Sequence, residues 1–161
     1  MVIRRGTAEE MLSIWLEPES PTAKFYYNNL ISENAEFWTI QCKEYLVAEL
    51  YFFKHLEDHD FADGKKRGYI CAFRVDEDLR GNGLGTLLLH SVLCRMRELG
   101  FEEATIGVEE KEKANVRMYE KAGFSTKIKK CNIDLCWVDE DFKPRYCDEY
   151  ILLKKNLEWG M

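Results

Sequence analysis

The segment Arg80-Gly81-Asn82-Gly83-Leu84-Gly85-Thr86 constrains this chain of 161 residues more than any other stretch. It stands between two segments of different periodicity. Upstream, Gly68-Tyr69-Ile70-Cys71-Ala72-Phe73-Arg74-Val75 is apolar at both parities, which predicts a central strand buried on both faces. Downstream, Leu84, Leu87, Leu88, Val92, Met96 and Leu99 fall on one stripe, with Arg95, Arg97 and Glu98 outside it. That predicts an amphipathic helix, stopped by Gly100. A glycine-rich passage from strand to helix puts free N–H groups and the positive end of a helix dipole at the turn. The glycines let a ligand approach the backbone, and a phosphate or pyrophosphate is the natural occupant. Arg80 adds a full charge and bidentate donors. The competing reading is a surface turn that needs positive φ values. The coincidence of glycines, arginine and helix start weighs against it.

Two common phosphate loops do not fit. A P-loop needs G-x-x-x-x-G-K-[ST], and no lysine stands at the required place. The dinucleotide fingerprint needs a sixth-position glycine counted from Gly81, where Thr86 stands instead. Residues 76–80 also separate the glycines from the strand, whereas the fingerprint follows its strand directly.

The flanking sequence predicts a mixed sheet. A short strand over 1–5 precedes a helix opened by a Thr7/Glu10 capping box and running through Met11, Leu12, Ile14, Trp15 and Leu16. Pro18 and Pro21 break it, and a second helix spans Ala23 to about Ser32. Glu36–Cys42 and Tyr45–Lys54 read as strands around a Lys43-Glu44 turn. A polar loop covers His55–Arg67. After the long helix come a strand over 102–109 and a short helix, Asn115–Ala122, stopped by Gly123. A long antiparallel pair closes the order, joined by a loop containing Pro144. Residues 1–161 are therefore expected to form one domain of the α/β (α+β) class, with a mostly antiparallel central sheet and flanking helices.

The net charge of −6 argues against nucleic acid as a partner. No stretch approaches a membrane span, so no membrane partner is expected and a cytoplasmic location is the default. Six scattered cysteines, at 42, 71, 94, 131, 136 and 147, read as reduced thiols rather than disulfides or zinc ligands. His55 and His59 are four apart but in loop sequence, so no metal is expected.

A third loop pattern does fit. Arg80-x-x-Gly83-x-Gly85, set five residues after Val75, resembles the acetyl-CoA signature R-x-x-G-x-G/A of the GNAT N-acetyltransferase superfamily. Asn115–Phe124, NVRMYEKAGF, resembles that family's second hallmark. One helix and one strand separate the blocks, as the family requires, and the resemblance covers 68–125 closely.

The resemblance implies a fold and an activity. The fold is a GNAT-like sheet with a splayed central strand pair. The loop amides of Arg80, Gly81, Asn82, Gly83, Leu84, Gly85 and Thr86 would cradle the CoA pyrophosphate. Phe73, Arg74 and Val75 would pair their backbone with the pantetheine arm, beside a partner strand, Thr105–Glu109, that splays away. Tyr119 would act as general acid toward the departing thiolate. Glu112 stands where the family often has asparagine, and Asn115 where it has a small residue, so Asn115 would touch the pantetheine or the adenine end. Asp76, Glu77 and Asp78 are expected to face solvent. Glu49 and Glu109 are candidate bases for the attacking amine. The acceptor, a small-molecule or peptide amine, is expected among residues 20–34, 54–67 and 137–147, whose aromatics (Phe25, Tyr26, Tyr27, Trp137, Phe142, Tyr146) and acids (Glu57, Asp58, Asp60, Asp139, Glu140, Asp141) suit a cation. The expected reaction is acetyl transfer from acetyl-CoA to a primary amine by direct attack in a ternary complex. A non-catalytic acyl-CoA-binding sensor or scaffold is the alternative, and a homodimer through the C-terminal strands is compatible with either.

Overall fold

The computed structural model describes residues 1–157. The chain runs β1 (Val2–Gly6), α1 (Ala8–Ile14), α2 (Pro21–Ile31), β2 (Ala35–Cys42), β3 (Tyr45–Phe53) and β4 (Arg67–Val75). It continues through α3 (Leu84–Glu98), β5 (Glu103–Val108), α4 (Lys113–Lys121), β6 (Thr126–Val138) and β7 (Pro144–Asn156). The strands form one sheet in the order β1-β2-β3-β4-β5-β7-β6. Among the described residues only β4 and β5 pair in parallel; the other strand pairings are antiparallel. The α/β class and mostly antiparallel sheet are as expected from the sequence.

Strand alternation splits the core in two. Leu50, Phe52 and Ile70 face one side, where Leu88, Val92 and Met96 of α3 and Tyr119 of α4 cover them. Tyr51, Phe53 and Tyr69 face the other, against Met11 of α1 and Tyr26 and Leu30 of α2. Each strand residue thus meets helices on its own side, as the period of two requires.

Local signals set most of the boundaries, with four corrections. The Thr7/Glu10 capping box is present, but α1 ends at Ile14. Trp15 turns extended, its indole N–H donating to Tyr51 at 2.9 Å and Glu49 at 3.1 Å, which leaves Leu16 exposed. Pro21 starts α2 rather than merely ending α1: Ser20 caps it and proline suits the first helical position. On α3 the buried stripe is Leu88, Leu89, Val92, Leu93 and Met96, whereas Leu87 and Leu99 are exposed. Pro144 opens β7 instead of lying in the loop before it. There it stands at the end of a strand, where its missing N–H is tolerated.

Candidate active site

The site begins with a fault in the sheet. On β3, Glu49 and Tyr51 pair with Arg74 and Cys71 of β4, so β4 carries one residue more than β3 across the same interval. Ala72 takes φ 49, a left-handed conformation for a residue with a Cβ. This is a β-bulge, which twists the strand. It also flips the side-chain alternation. Cys71 packs with the α1/α2 side and Phe73 with the α3/α4 side. Beyond the bulge β4 leaves β5. The two pair only from Arg67↔Glu103 to Ile70↔Ile106. The splay therefore starts after Thr105 and Ile106, which stay paired, and involves Gly107 and Val108. The same divergence corrects the expectation that β4 is buried on both faces throughout, since Ala72 and Arg74 are exposed.

A cavity opens on each side of this gap. The first, about 1230 Å³, is bordered by Phe73, Arg74, Val75, Arg80, Gly81, Gly83, Leu84, Gly85 and Thr86. Gly83 has φ 79 and Gly81 φ 85, with nothing within 4 Å of where a Cβ would stand. They are needed for backbone conformation, turning the chain so that α3 starts at Leu84 and its first turn, Leu84 to Thr86, borders the cavity. Asn82 is not on this wall. Its amide donates to the Leu79 carbonyl at 3.0 Å and closes the turn. The Arg80 Nε donates to the Val75 carbonyl at 2.9 Å, tying the loop to the strand end. Asp76, Glu77 and Asp78 are exposed and off the wall, as expected. Among the described residues, Arg74, Arg80, Arg117, Lys121 and Lys155 border this cavity against the one acid Glu112. In a chain of net charge −6 that is a local inversion of sign.

The second cavity, about 1000 Å³, lies on the other side of the gap. Trp15, Tyr26, Tyr69, Trp137, Tyr146 and Tyr150 supply aromatic walls. Gly107 is what admits Tyr150: a Cβ there would stand 2.9 Å from its ring. The acids on this wall are Glu109, Glu112, Asp134 and Asp148. Of the acceptor-side residues expected from sequence, Tyr26, Trp137 and Tyr146 border the cavity. Phe25, Tyr27, Phe142 and the acids Glu57, Asp58, Asp60, Asp139, Glu140 and Asp141 do not. The 54–67 loop contributes no wall residue because it packs beneath the sheet, with Asp58 and Asp60 paired to Lys129 and the Phe61 carbonyl accepting from Thr105.

Phe73, Glu112, Asn115 and Tyr119 border both cavities. The Tyr119 ring is buried, 6.5 Å from Phe73 and 6.2 Å from Phe124 between centroids. Burial, then the nearby Glu112 carboxylate, pushes its phenol up to about 12. Asn115 donates to Glu112 at 2.6 Å, so these two side chains orient each other. The Glu112 carboxyl beside Glu109 raises the Glu109 carboxyl above its ordinary value, helped by burial. Glu49 borders neither cavity. It is buried behind β4, with one oxygen accepting from Arg74 at 2.5 Å and the other from Trp15 at 3.1 Å. Both its oxygens are engaged by wall residues, Arg74 of the first cavity and Trp15 of the second, which does not suit a base.

Elsewhere, the six cysteines are free thiols, and Cys71, Cys136 and Cys147 border the second cavity. His55 and His59 bring their Nε2 atoms within 3.3 Å, and no third metal-type ligand joins them among the described residues. No helix among those residues is long and apolar enough to cross a membrane.

Comparison with known proteins agrees with this geometry. Residues 3–124 match the model of the acetyltransferase (GNAT) family. A mycothiol acetyltransferase from Propionibacterium freudenreichii is 44% identical over 63 residues, which is 39% of this chain and 20% of that protein. The chain spans about a fifth of the length of the curated relatives it matches. Among solved structures, an IAA acetyltransferase from Bacillus cereus superposes with TM-score 0.70 at 16% identity, covering 97% of this chain and 99% of that one. A GNAT family acetyltransferase from Elizabethkingia anophelis, solved with acetyl-CoA bound, gives TM-score 0.67 at 18% identity, covering 97% of each. At such identities the two structures speak for the fold.

Proposed function

Because the chain belongs to the GNAT acetyltransferase family, we propose that residues 1–161 form a single N-acetyltransferase domain that transfers acetyl from acetyl-CoA to a primary amine. The observation that carries this reading is the pair of oppositely charged cavities meeting at the splayed strands. A cationic cleft with a helix N-terminus suits the phosphates of CoA. An acidic, aromatic cavity suits an amine. The residues present fit acetyl-CoA: the N-terminal turn of α3 borders the cleft, and β4 does not pair with β5 beyond Ile70, which leaves backbone groups for an extended arm.

Acetyl-CoA supplies an activated acetyl group as a thioester. The acceptor nitrogen attacks directly; an N–C bond forms as the C–S bond breaks. Glu109 borders the acceptor cavity, with Glu112 raising its carboxyl above the ordinary value, and in this reading it takes the proton from nitrogen. Tyr119 stands at the junction, where its hydroxyl can donate to the departing sulfur. Its raised pKa makes it a hydrogen-bond donor rather than a full proton donor. Glu112 and Asn115 order the junction between the two substrates.

The test is thermal unfolding with acetyl-CoA, CoA, NAD or ATP in excess, followed by mass spectrometry of amines incubated with acetyl-CoA. A ligand at about 100 times its Kd adds about 2.7 kcal/mol, a rise of roughly 5–10 °C for a chain of this size. A rise with the CoA species alone, and acetylated amine, is the expected result. A rise without transfer to any amine leaves a binding module, and no rise with CoA species ends the reading.

A further inference from the structure

The acceptor-side cavity has a charge pattern that a single amine does not account for. Glu109, Glu112, Asp134 and Asp148 border it, and no lysine or arginine does among the described residues. The acids stand at two stations. Glu112 borders both cavities and Glu109 is beside it, so this pair marks the junction where transfer takes place. Asp134 borders the acceptor cavity alone, near Tyr26 of α2 and Tyr69 of β4.

Asp134 is held there by an irregularity in β6. The β6–β7 register jumps from Asp134↔Arg145 to Val138↔Pro144, so residues 135–137 have no partners on β7. Burial raises the Asp134 carboxyl above its ordinary value, and within that excursion the Cys136 amide, donating to it at 3.0 Å, and the Trp137 amide oppose that rise. These bonds fix the carboxylate without neutralising it. Arg145, its register partner, turns away: its Nε donates to the Val138 carbonyl at 3.1 Å, and its guanidinium lies 5.3 Å from the Trp137 ring centroid. Among the described residues no cation pairs with Asp134. A half-buried carboxylate left without a cation is costly to a fold, and aromatic faces beside it attract positive charge.

We infer that Asp134 is the specificity anchor for a second cationic nitrogen of the acceptor, so that the substrate is a flexible diamine or polyamine spanning the two stations. One nitrogen is presented at Tyr119 and Glu109, and another is held by Asp134 beside the tyrosines. The inference rests on the acetyltransferase reading for the first nitrogen only; the anchor itself is a matter of binding.

Calorimetric titration with putrescine, spermidine and n-butylamine, with and without CoA, tests it. The unaltered protein should bind putrescine or spermidine at least about tenfold more tightly than n-butylamine, the scale of one hydrogen-bonded charge pair. Asp134→Asn keeps an oxygen for the Cys136 amide and should bring the amines within about twofold of one another. Equal affinities in the unaltered protein, or a diamine preference that survives Asp134→Asn, overturn the inference. The first of these results needs no variant, so poor folding of Asp134→Asn cannot protect it. The two readings fail separately. Acetylation of n-butylamine with no diamine preference removes the anchor and keeps the transferase. A preference lost in Asp134→Asn with no CoA binding keeps the anchor and removes the transferase.

Discussion

Tyr119→Phe separates three roles for the side chain at the junction. The phenol is held at about 12 by burial and by Glu112, whereas a thiol like that of CoA has an ordinary value near 8.5. Complete proton transfer from tyrosine to the leaving thiolate is therefore uphill by about three to four pH units, or about 5 kcal/mol. A hydrogen bond to the developing charge is the economical alternative, and such bonds contribute about 1.5–3 kcal/mol. Removing the hydroxyl should then lower kcat by about 10- to 150-fold. The ring contacts with Phe73 and Phe124 involve no hydroxyl, so the fold and the acetyl-CoA-induced rise in Tm should persist. The assay is acetylated amine by mass spectrometry at saturating acetyl-CoA, with Tm read in parallel. A kcat within about twofold of the unaltered protein would make Tyr119 a packing residue, and a fall beyond about 10⁴-fold, the upper range of acid–base catalysis, would restore full proton donation.

Three further outcomes are expected. Glu36 is fully buried and accepts two hydrogen bonds from Arg95 and one from Trp38, each at 3.0 Å, with Lys54 and Arg5 within 3.8 Å; Glu36→Ala should cost about 3–5 kcal/mol, a Tm loss of roughly 6–20 °C, and a loss under about 2 °C by circular dichroism would disprove the network's importance. Gly83→Ala forces a residue with a Cβ to hold φ 79, so it should cost about 1–3 kcal/mol and weaken acetyl-CoA; unchanged Tm and Kd would show that the turn does not depend on that conformation. The Glu10 carboxyl is held at about 2, first by the Arg4 guanidinium and then by the Thr7 amide, against an ordinary value of 4.5. Its folded value is depressed, so its stabilisation is complete above about pH 4.5 and fades as pH falls toward 2; Glu10→Gln should flatten that limb of the Tm–pH curve, and an identical limb would count against the Arg4 pair.

What could be read from the sequence was what local chemistry specifies. Thr7 and Glu10 cap a helix whatever the tertiary structure, and Lys43-Glu44 links two alternating segments closely enough to leave only a hairpin. Arg80 to Thr86 declares a strand-to-helix turn by its own glycines. The bulge at Ala72 carries no such mark, because its extra residue is defined by pairing with β3 and not by an unusual residue type. The point where β5 departs was therefore placed two residues early, at Thr105. The acids of the acceptor wall, unlike its aromatics Tyr26, Trp137 and Tyr146, escape the sequence for a related reason. The loop acids stay off the wall, whereas Asp134 and Asp148 stand on strands whose non-sequential order, β5-β7-β6, decides what faces the gap. The usable signal was a single acid in the otherwise apolar run Ile133-Asp134-Leu135-Cys136-Trp137. Glu49 was rightly placed on β3, but its partners Arg74 and Trp15 come from distant segments.

Phe73, Glu112, Asn115 and Tyr119 form a party wall between the two cavities. Compartments with a common wall are not filled independently. Whatever free energy one ligand expends or gains in setting these four side chains, the other ligand meets them already set. By linkage the effect is reciprocal: if acetyl-CoA changes the amine's Kd by some factor, the amine changes that of acetyl-CoA by the same factor. Titrating each ligand with and without a non-reactive form of the other measures that factor twice. A value near one would mean the wall is rigid in both states; any other value makes the order in which substrates arrive a property of these four residues.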